Sequence, residues 1–351
     1  MANRYWVGGT GTWDGTNTAN WSATSGGATG ASVPTTADDV FFDSNSGSGT
    51  TTNASTMGSI KSINFTGWTG TFAGAAYRFS CTGGNIVLGS TATLTALRTQ
   101  LAPGAGVSST ISGSQTINEF VLNPATATST AGLGANISCT TFNMYGAGTA
   151  NLSNYNVTCS GDFTINDGYT GTYNLGSGTI TVGSGAGTGA ALTLNSASDT
   201  ATTNSSSINL VGGTTGINSI YLNGKTVSSI SVTAGGGLYI RATAGTTGSL
   251  TYTNNSASAS SFTLYANITV TGLLTIGKTG AGAGTINVAS DTAGTQRTIS
   301  AGSISLNAIT WKDIIASGTA SPFYGTRFIN NGNNTNILFQ SPYALFFGGN
   351  F

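Results

Sequence analysis

The sequence predicts an all-β chain coiled as a solenoid, and three observations carry that expectation. The only cysteines sit in one recurring pattern: Phe79-Ser80-Cys81-Thr82, Ile137-Ser138-Cys139-Thr140 and Val157-Thr158-Cys159-Ser160. Each reads apolar, hydroxyl, Cys, hydroxyl, which is the alternation of a strand with one buried face. The last two lie 20 residues apart, and both run on into more strand, Phe142-Asn143-Met144 and Phe163-Thr164-Ile165. Finally, short β-branched runs and glycine-rich turns alternate almost without interruption from about residue 55, and no segment holds a 3.6-residue apolar period. A period near twenty made of short strands is the signature of coils stacked on one another. Equivalent residues of successive coils then stand about 4.8 Å apart and form ladders. At that period the chain has room for about thirteen coils, a rod.

Composition supports this and narrows the chemistry. Only 6% of the 351 residues are charged, 10 basic against 10 acidic, and there is no histidine. Low charge alone would suit a disordered chain, but disorder pairs high net charge with low hydrophobicity, and here 38% of residues are apolar at zero net charge. A helical protein of this length would carry many more Glu, Lys and Leu. Scattered Lys and Arg leave no electrostatic footprint for nucleic acid. No apolar run approaches the roughly twenty residues that span a bilayer, so no membrane insertion is expected. Met1-Ala2-Asn3-Arg4-Tyr5-Trp6 lacks the apolar stretch of a secretory signal, which favours a protein made in a host cytoplasm and released by lysis.

Taken in order, residues 1–50 read as a Trp-rich cap. Trp6, Trp13, Trp21 and Phe41, with Phe42, crowd among glycines there, and a solenoid must cover the core and strand edges that its first coil would expose. Residues 51–315 read as one stack. Its strands include Ile60–Phe65, Asn85–Leu88, Ile117–Leu122, Thr179–Val182, Ile208–Leu210, Leu238–Ile240 and Ile268–Val270, most of them short, as coils with sharp bends require. Five prolines leave the ladder hydrogen bonds nearly intact. Cys81, Cys139 and Cys159 take the inward register and are expected as a buried ladder of small apolar groups, since an odd count without a CxxC pair offers neither a disulfide frame nor a zinc site. Residues 316–351 read as a closing segment and docking tail. The amide-rich Asn330–Asn336 run can bond along the coil axis or form a solvated loop. The terminal aromatics, Phe346, Phe347 and Phe351, would be an aggregation hazard if left uncovered.

The opening residues Tyr5-Trp6-Val7-Gly8-Gly9, Gly11-Thr12-Trp13, Asn20-Trp21-Ser22, Val33-Pro34 and Asp38-Asp39-Val40-Phe41-Phe42 resemble a module of two groups. One is phage-encoded virion proteins of the tail or particle surface; the other is the β-helical passenger regions of bacterial adhesins. Trp311-Lys312-Asp313-Ile314 and Gly332-Asn333-Asn334 resemble the ends of the phage-type proteins. The resemblance covers roughly the first 45 and last 40 residues, and the middle rests on periodicity. It implies a right-handed parallel β-helix in a virion, a homo-oligomer (a trimer being common for such rods) among other virion proteins.

Candidate chemistry is sparse. Asp38, Asp39 and Asp43 are the densest acidic cluster. They lack calcium-loop spacing, and strand alternation divides them between faces, so turn and cap hydrogen bonds are the expected role; no metal or cofactor site is expected. A Ser-His-Asp triad is impossible without histidine. A polysaccharide-cleaving site needs two carboxylates, for which the mid-chain candidates are Glu119, the only glutamate, with Asp162, Asp167 and Asp199. Thr-x-Thr runs raise ice binding, but they recur at no fixed spacing. Tyr221, Tyr239 and Tyr252 are expected to be exposed and able to stack on sugars or pack between subunits. The function expected is a non-enzymatic virion component, a fibre, spike or surface decoration, whose loops adhere to host glycans. The alternatives are a bacterial cell-surface adhesin, extracellular in location, and a polysaccharide depolymerase. Deletion of residues 343–351 should lower solubility or change the subunit number measured by light scattering; unchanged behaviour on both counts would remove the docking role of the tail.

Overall fold

The computed structural model describes residues 2–54, 58–74, 77–166, 169–183, 191–194, 200–202, 206–212, 216–233, 235–241, 243–254, 256, 259–279 and 284–339. Phe346, Phe347 and Phe351 lie outside the described residues, as do Asp167 and Asp199. Among the described residues there is no helix. The fold is a parallel β-solenoid of about 11 turns. That is fewer turns than the twenty-residue period predicts, because most coils are longer. Residues bonded across neighbouring coils are separated by 20 (Cys139 and Cys159), 22 (Ile60 and Thr82), 23 (Phe72 and Thr95) and 25 (Thr285 and Thr310) positions.

The chain divides into two compact units, Met1–Thr181 with Leu194–Ser206 and Val182–Thr193 with Ser207–Phe351. In the first unit, one sheet is a parallel ladder of Asn3–Trp6, Asp39–Phe41, Ser62–Asn64, Ile86–Val87, Ser108–Ser112, Thr130–Leu133, Thr149–Asn151 and Thr172–Asn174. Gly11–Trp13, Thr50–Asn53, Thr71–Ala73 and Thr93–Thr95 form a second sheet. The third runs through Phe79–Cys81, Arg98–Leu101, Thr116–Leu122 and Ile137–Met144. The opening residues thus supply the first rung of two sheets. The two-residue strand Trp21–Ser22 pairs antiparallel on the outer side of Asn3–Trp6, a short, non-templating edge of the kind that blocks further strand addition.

Behind that edge the interior is aromatic. Trp6, Trp13, Trp21, Phe42, Phe65, Trp68 and Phe72 are all fully buried, with Trp13 edge-on to Trp21 at 4.8 Å and Phe42 against Trp68 at 4.7 Å. The Trp6 indole donates to the Gly9 carbonyl at 3.0 Å, so its polar edge is satisfied. Phe41, expected in this cluster, instead turns outward and stacks on Tyr5 at 4.9 Å, while its neighbour Phe42 takes the interior place. In a strand, adjacent residues face opposite sides, and Val40 and Phe42 are the inward pair that brackets Phe41.

Further along, like stacks on like. Phe142 lies between Phe120 and Phe163, with ring centroids 5.5 and 5.3 Å away. Cys139 is in register with Cys159, sulfur to sulfur 3.7 Å, above Ile117. Cys81 is equally buried but stands in another column, in register with Leu101, which leads to Leu122 and Met144. The expected three-cysteine ladder is therefore a pair plus a separate single residue, because both columns lie on one strand face and the local pattern cannot tell them apart. Burial pushes the Cys81 thiol up, and burial followed by the adjacent Cys139 does the same for Cys159. At the corners, glycine is required by close approach. A Cβ on Gly89 would sit 2.0 Å from the Phe65 carbonyl oxygen, and one on Gly113, at φ +105, 2.1 Å from that of Leu88.

In the second unit, consecutive strands alternate between two series. One is Ser207–Val211, Thr226–Thr233, Gly245–Asn254, Ile268–Lys278, Arg297–Leu306 and Ile314–Ser317. The other is Asn218–Tyr221, Leu238–Arg241, Ser260–Leu264, Ile286–Ser290, Ile309–Lys312 and Ile329–Asn330. Tyr252 is not exposed as expected. It fills the inward column Leu210–Val232–Tyr252–Ile276, with its hydroxyl donating to the Gly236 carbonyl at 2.8 Å; the flanking Thr251 and Thr253 hold the outward register. At the end of the chain, Asn333, Asn334 and Asn336 donate to Asp313 and to the carbonyls of Trp311 and Ala316, fastening the amide-rich run to the coil before it.

Phe142→Ala should cost about 3–5 kcal/mol in the unfolding transition of the first unit, read by urea denaturation, with Phe142→Leu much milder. A near-neutral alanine variant would show that this ring column does not hold the stack together.

Candidate functional site

Among the described residues the inward positions are buried and mainly apolar, so candidate chemistry is sought on outward columns. In the first unit one such column passes through Arg98, Glu119 and Thr141. Arg78 stands beside Arg98 on the preceding rung, since Phe79 pairs with Thr99. Glu119 accepts from both guanidinium groups, at 2.8 Å from Arg98 Nε and 3.1 Å from Arg78 Nε, with a further bond from Arg78 Nη2 to Oε1. Its side chain keeps 11% exposure against 30% and 35% for the arginines, so the carboxylate is largely removed from water and depends on these partners. Burial opposes its charge, but the hydrogen bonds from Arg98 and Arg78 and their positive charge outweigh that and hold its carboxyl below the usual range.

The same cluster continues outward through Tyr145. Arg78 Nη1 donates to the Tyr145 hydroxyl at 3.3 Å, which donates to Gln100 Oε1 at 3.2 Å, and Gln100 Nε2 donates to Ser80 Oγ at 2.6 Å. Burial raises the Tyr145 phenol above its ordinary value. Tyr145 stacks on Tyr169 at 5.3 Å, and Tyr169 and Tyr77 are exposed. The result is an outward cluster of aromatic faces and hydrogen-bonded polar groups.

Asp162, paired with Glu119 in the sequence reading, falls in the same column beyond Thr141, because Phe142 is in register with Phe163. Two rungs put the two residues about 9–10 Å apart along the column. The acidic residues near the start are used structurally. Asp38 accepts from the backbone of Ala2 and from the backbone and hydroxyl of Thr35. Burial works against its charge, yet these bonds and the charge of Arg4 keep its carboxyl low. Asp39 pairs with Lys61 at 2.7 Å and accepts from Ser62, and Asp43 accepts from the Asn45 amide at 2.9 Å. No group of three or more His, Cys, Asp or Glu placed to hold a metal occurs among the described residues.

In the second unit, Tyr221 is in register with Arg241, and Tyr265, whose amide bonds the Ile240 carbonyl, occupies the next rung. Tyr239 shares the outward face of the Arg241 strand. The Arg241 guanidinium carbon lies 4.7 Å from the Tyr239 ring centre and 4.5 Å from that of Tyr265, while the two rings are 5.5 Å apart. Asp291, bonded through its amide to the Leu264 carbonyl, follows on the next rung and is paired with Arg297 at 2.9 Å.

Of the residues singled out in the sequence, Trp6, Trp13, Trp21, Cys81, Cys139 and Cys159 are interior. Arg78, Arg98, Tyr145, Arg241 and Tyr265 were missed. Alternation signalled their outward direction, as in Arg98-x-Gln100 and Tyr239-x-Arg241, but their partners are on other coils. No family model, curated protein or solved structure matches this chain.

Glu119→Gln leaves two adjacent arginines without a counter-charge and should lower the thermal midpoint at neutral pH by several degrees. The folded carboxyl titrates below the unfolded value of about 4.3, so the Glu119 contribution is full above that value and fades as pH falls through the lower, folded pKa. The gap between wild type and variant should therefore close in acid; a pH-independent gap in thermal melts would refute the ion-pair account.

Proposed function

We propose that this chain is a non-enzymatic structural and adhesive protein, a solenoid of a phage particle whose outward sheet faces bind surface glycans. The observation that carries this reading is the division of labour within each strand. Among the described residues, inward positions are spent mainly on an apolar core, while outward positions carry hydroxyls, amides, tyrosines and the few charged groups. Aromatic faces flanked by fixed hydrogen-bonding groups, as at Tyr145, Tyr169 and Gln100, suit sugars, whose rings offer an apolar face and a rim of hydroxyls. Three depressions among the described residues, of about 310 to 420 Å³, are shallow and lined by polar and aliphatic side chains with a single aromatic each, Phe41 or Tyr324. Placement in a virion rests on the resemblance of the opening and closing segments, and a homo-oligomeric state belongs to the same reading.

One observation favours depolymerisation as a second reading. Glu119 and Asp162 share a column at a spacing near the upper end of that used by inverting glycosidases, about 6.5–9.5 Å. Against it, both oxygens of Glu119 are engaged by Arg78 and Arg98, which weakens it as a base toward a water.

The deciding experiment exposes the purified chain to a panel of bacterial surface polysaccharides and follows both retention and release of reducing ends. Retention without release is expected. Release abolished by Glu119→Gln or Asp162→Asn would replace the adhesive reading with the enzymatic one, and absence of any retention would overturn it.

A further inference from the structure

Arg241 differs from the other arginines of the lateral faces. Arg78 and Arg98 share Glu119, and Arg297 holds Asp291. Arg241 has no hydrogen-bond or ion-pair partner among the described residues, and its Nε is buried without an acceptor. Of the five donors in its planar fork, the Nε–H is the one buried without an acceptor, which is costly, while the Nη groups are not buried and stay open to a ligand. What holds it is ring contact alone, with Tyr239 and Tyr265 both within 4.7 Å of the guanidinium carbon. The carboxylate on the rung beyond Tyr265, Asp291, is already committed to Arg297 through two bonds of 2.9 and 3.0 Å. No hydrogen bond engages the hydroxyls of Tyr239 or Tyr265 among the described residues. The site is thus a fixed, uncompensated cation flanked by two free phenol groups, with Tyr221 on the rung before it.

We propose that Tyr239, Arg241 and Tyr265 form a subsite for a carboxylate-bearing sugar, a uronate unit of an acidic polysaccharide. The proposal rests on the adhesive reading above and names its ligand class at this face. A carboxylate matches the guanidinium fork through paired, charge-assisted hydrogen bonds. The tyrosine hydroxyls are placed for the ring hydroxyls of the same sugar. Stacking on two rings holds the guanidinium in place before the ligand arrives, which reduces the ordering cost of binding. No bond is made or broken.

The test is calorimetric titration of the full chain with an oligouronate and with the same oligomer fully methyl-esterified, alongside a neutral oligosaccharide panel. The acid should bind at least tenfold more tightly than the ester. Arg241→Gln should erase that preference with little change in thermal midpoint, and Arg241→Lys should retain only part of it. If Arg241→Gln fails to fold, Tyr239→Phe and Tyr265→Phe, which remove only the hydroxyls, must each weaken acid binding several-fold. Equal binding of acid and ester, or a preference for the acid that survives Arg241→Gln, would overturn the subsite. Binding of neutral glycans without the uronate would also overturn it while leaving the adhesive function standing; binding of no glycan at all would sink both.

Discussion

Parallel register is the constraint on which the rest of the molecule depends. Each strand residue lies about 4.8 Å from its counterparts on the coils before and after it, so a side chain is chosen as much by its column as by its own strand. Apolar columns turn this to advantage: Phe142 stacks on Phe163 and meets Phe120 edge to face, and Cys139 meets Cys159. Charged columns cannot. Two like charges at that distance repel by about 1 kcal/mol in water and several times more at a partly buried site. A chain with 6% charged residues is one solution to that problem. Where it does place like charges on adjacent rungs, as at Arg78 and Arg98, the Glu119 carboxylate beside them pairs with both.

The ends meet a different demand. The first coils of the first unit and the last described coils of the second are finished with different chemistry. At the start, seven large aromatics fill the space behind a two-residue antiparallel strand. In the last described coil of the second unit, asparagine side chains reach back to Asp313 and to the carbonyls of Trp311 and Ala316. Buried aromatic area contributes through water exclusion and ring contact, whereas the amides contribute by donating to backbone carbonyls and a carboxylate.

What the sequence discloses divides along the same line. Alternation within a strand is local, so strand positions, the inward cysteines, the tryptophan cluster and the solenoid itself could be read directly. Column assignment is not local. It depends on turn lengths that vary from coil to coil, and for that reason Cys81 was grouped with two cysteines of another column. Phe41 and Phe42 were separable in principle by the inward position of Val40, while Tyr252 was betrayed by the threonines on either side of it. The lateral clusters were least accessible, because Arg78, Arg98, Glu119 and Tyr145 come together across coils that the pattern of any single strand does not mention.

The variable coil length has a consequence for how such a molecule can change. Neighbouring residues in a column are separated by as few as 17 positions, between Ile299 and Ala316, and as many as 40, between Gly11 and Thr51, yet the rungs keep one spacing. The corners absorb the difference, and no interior side chain changes neighbours when a turn grows or shrinks. Outward columns are similarly insulated, since a substitution there is felt by the rungs beside it and not through the core. Mutation can therefore reshape the outer faces and lengthen the turns while the interior that holds the coils together is inherited intact.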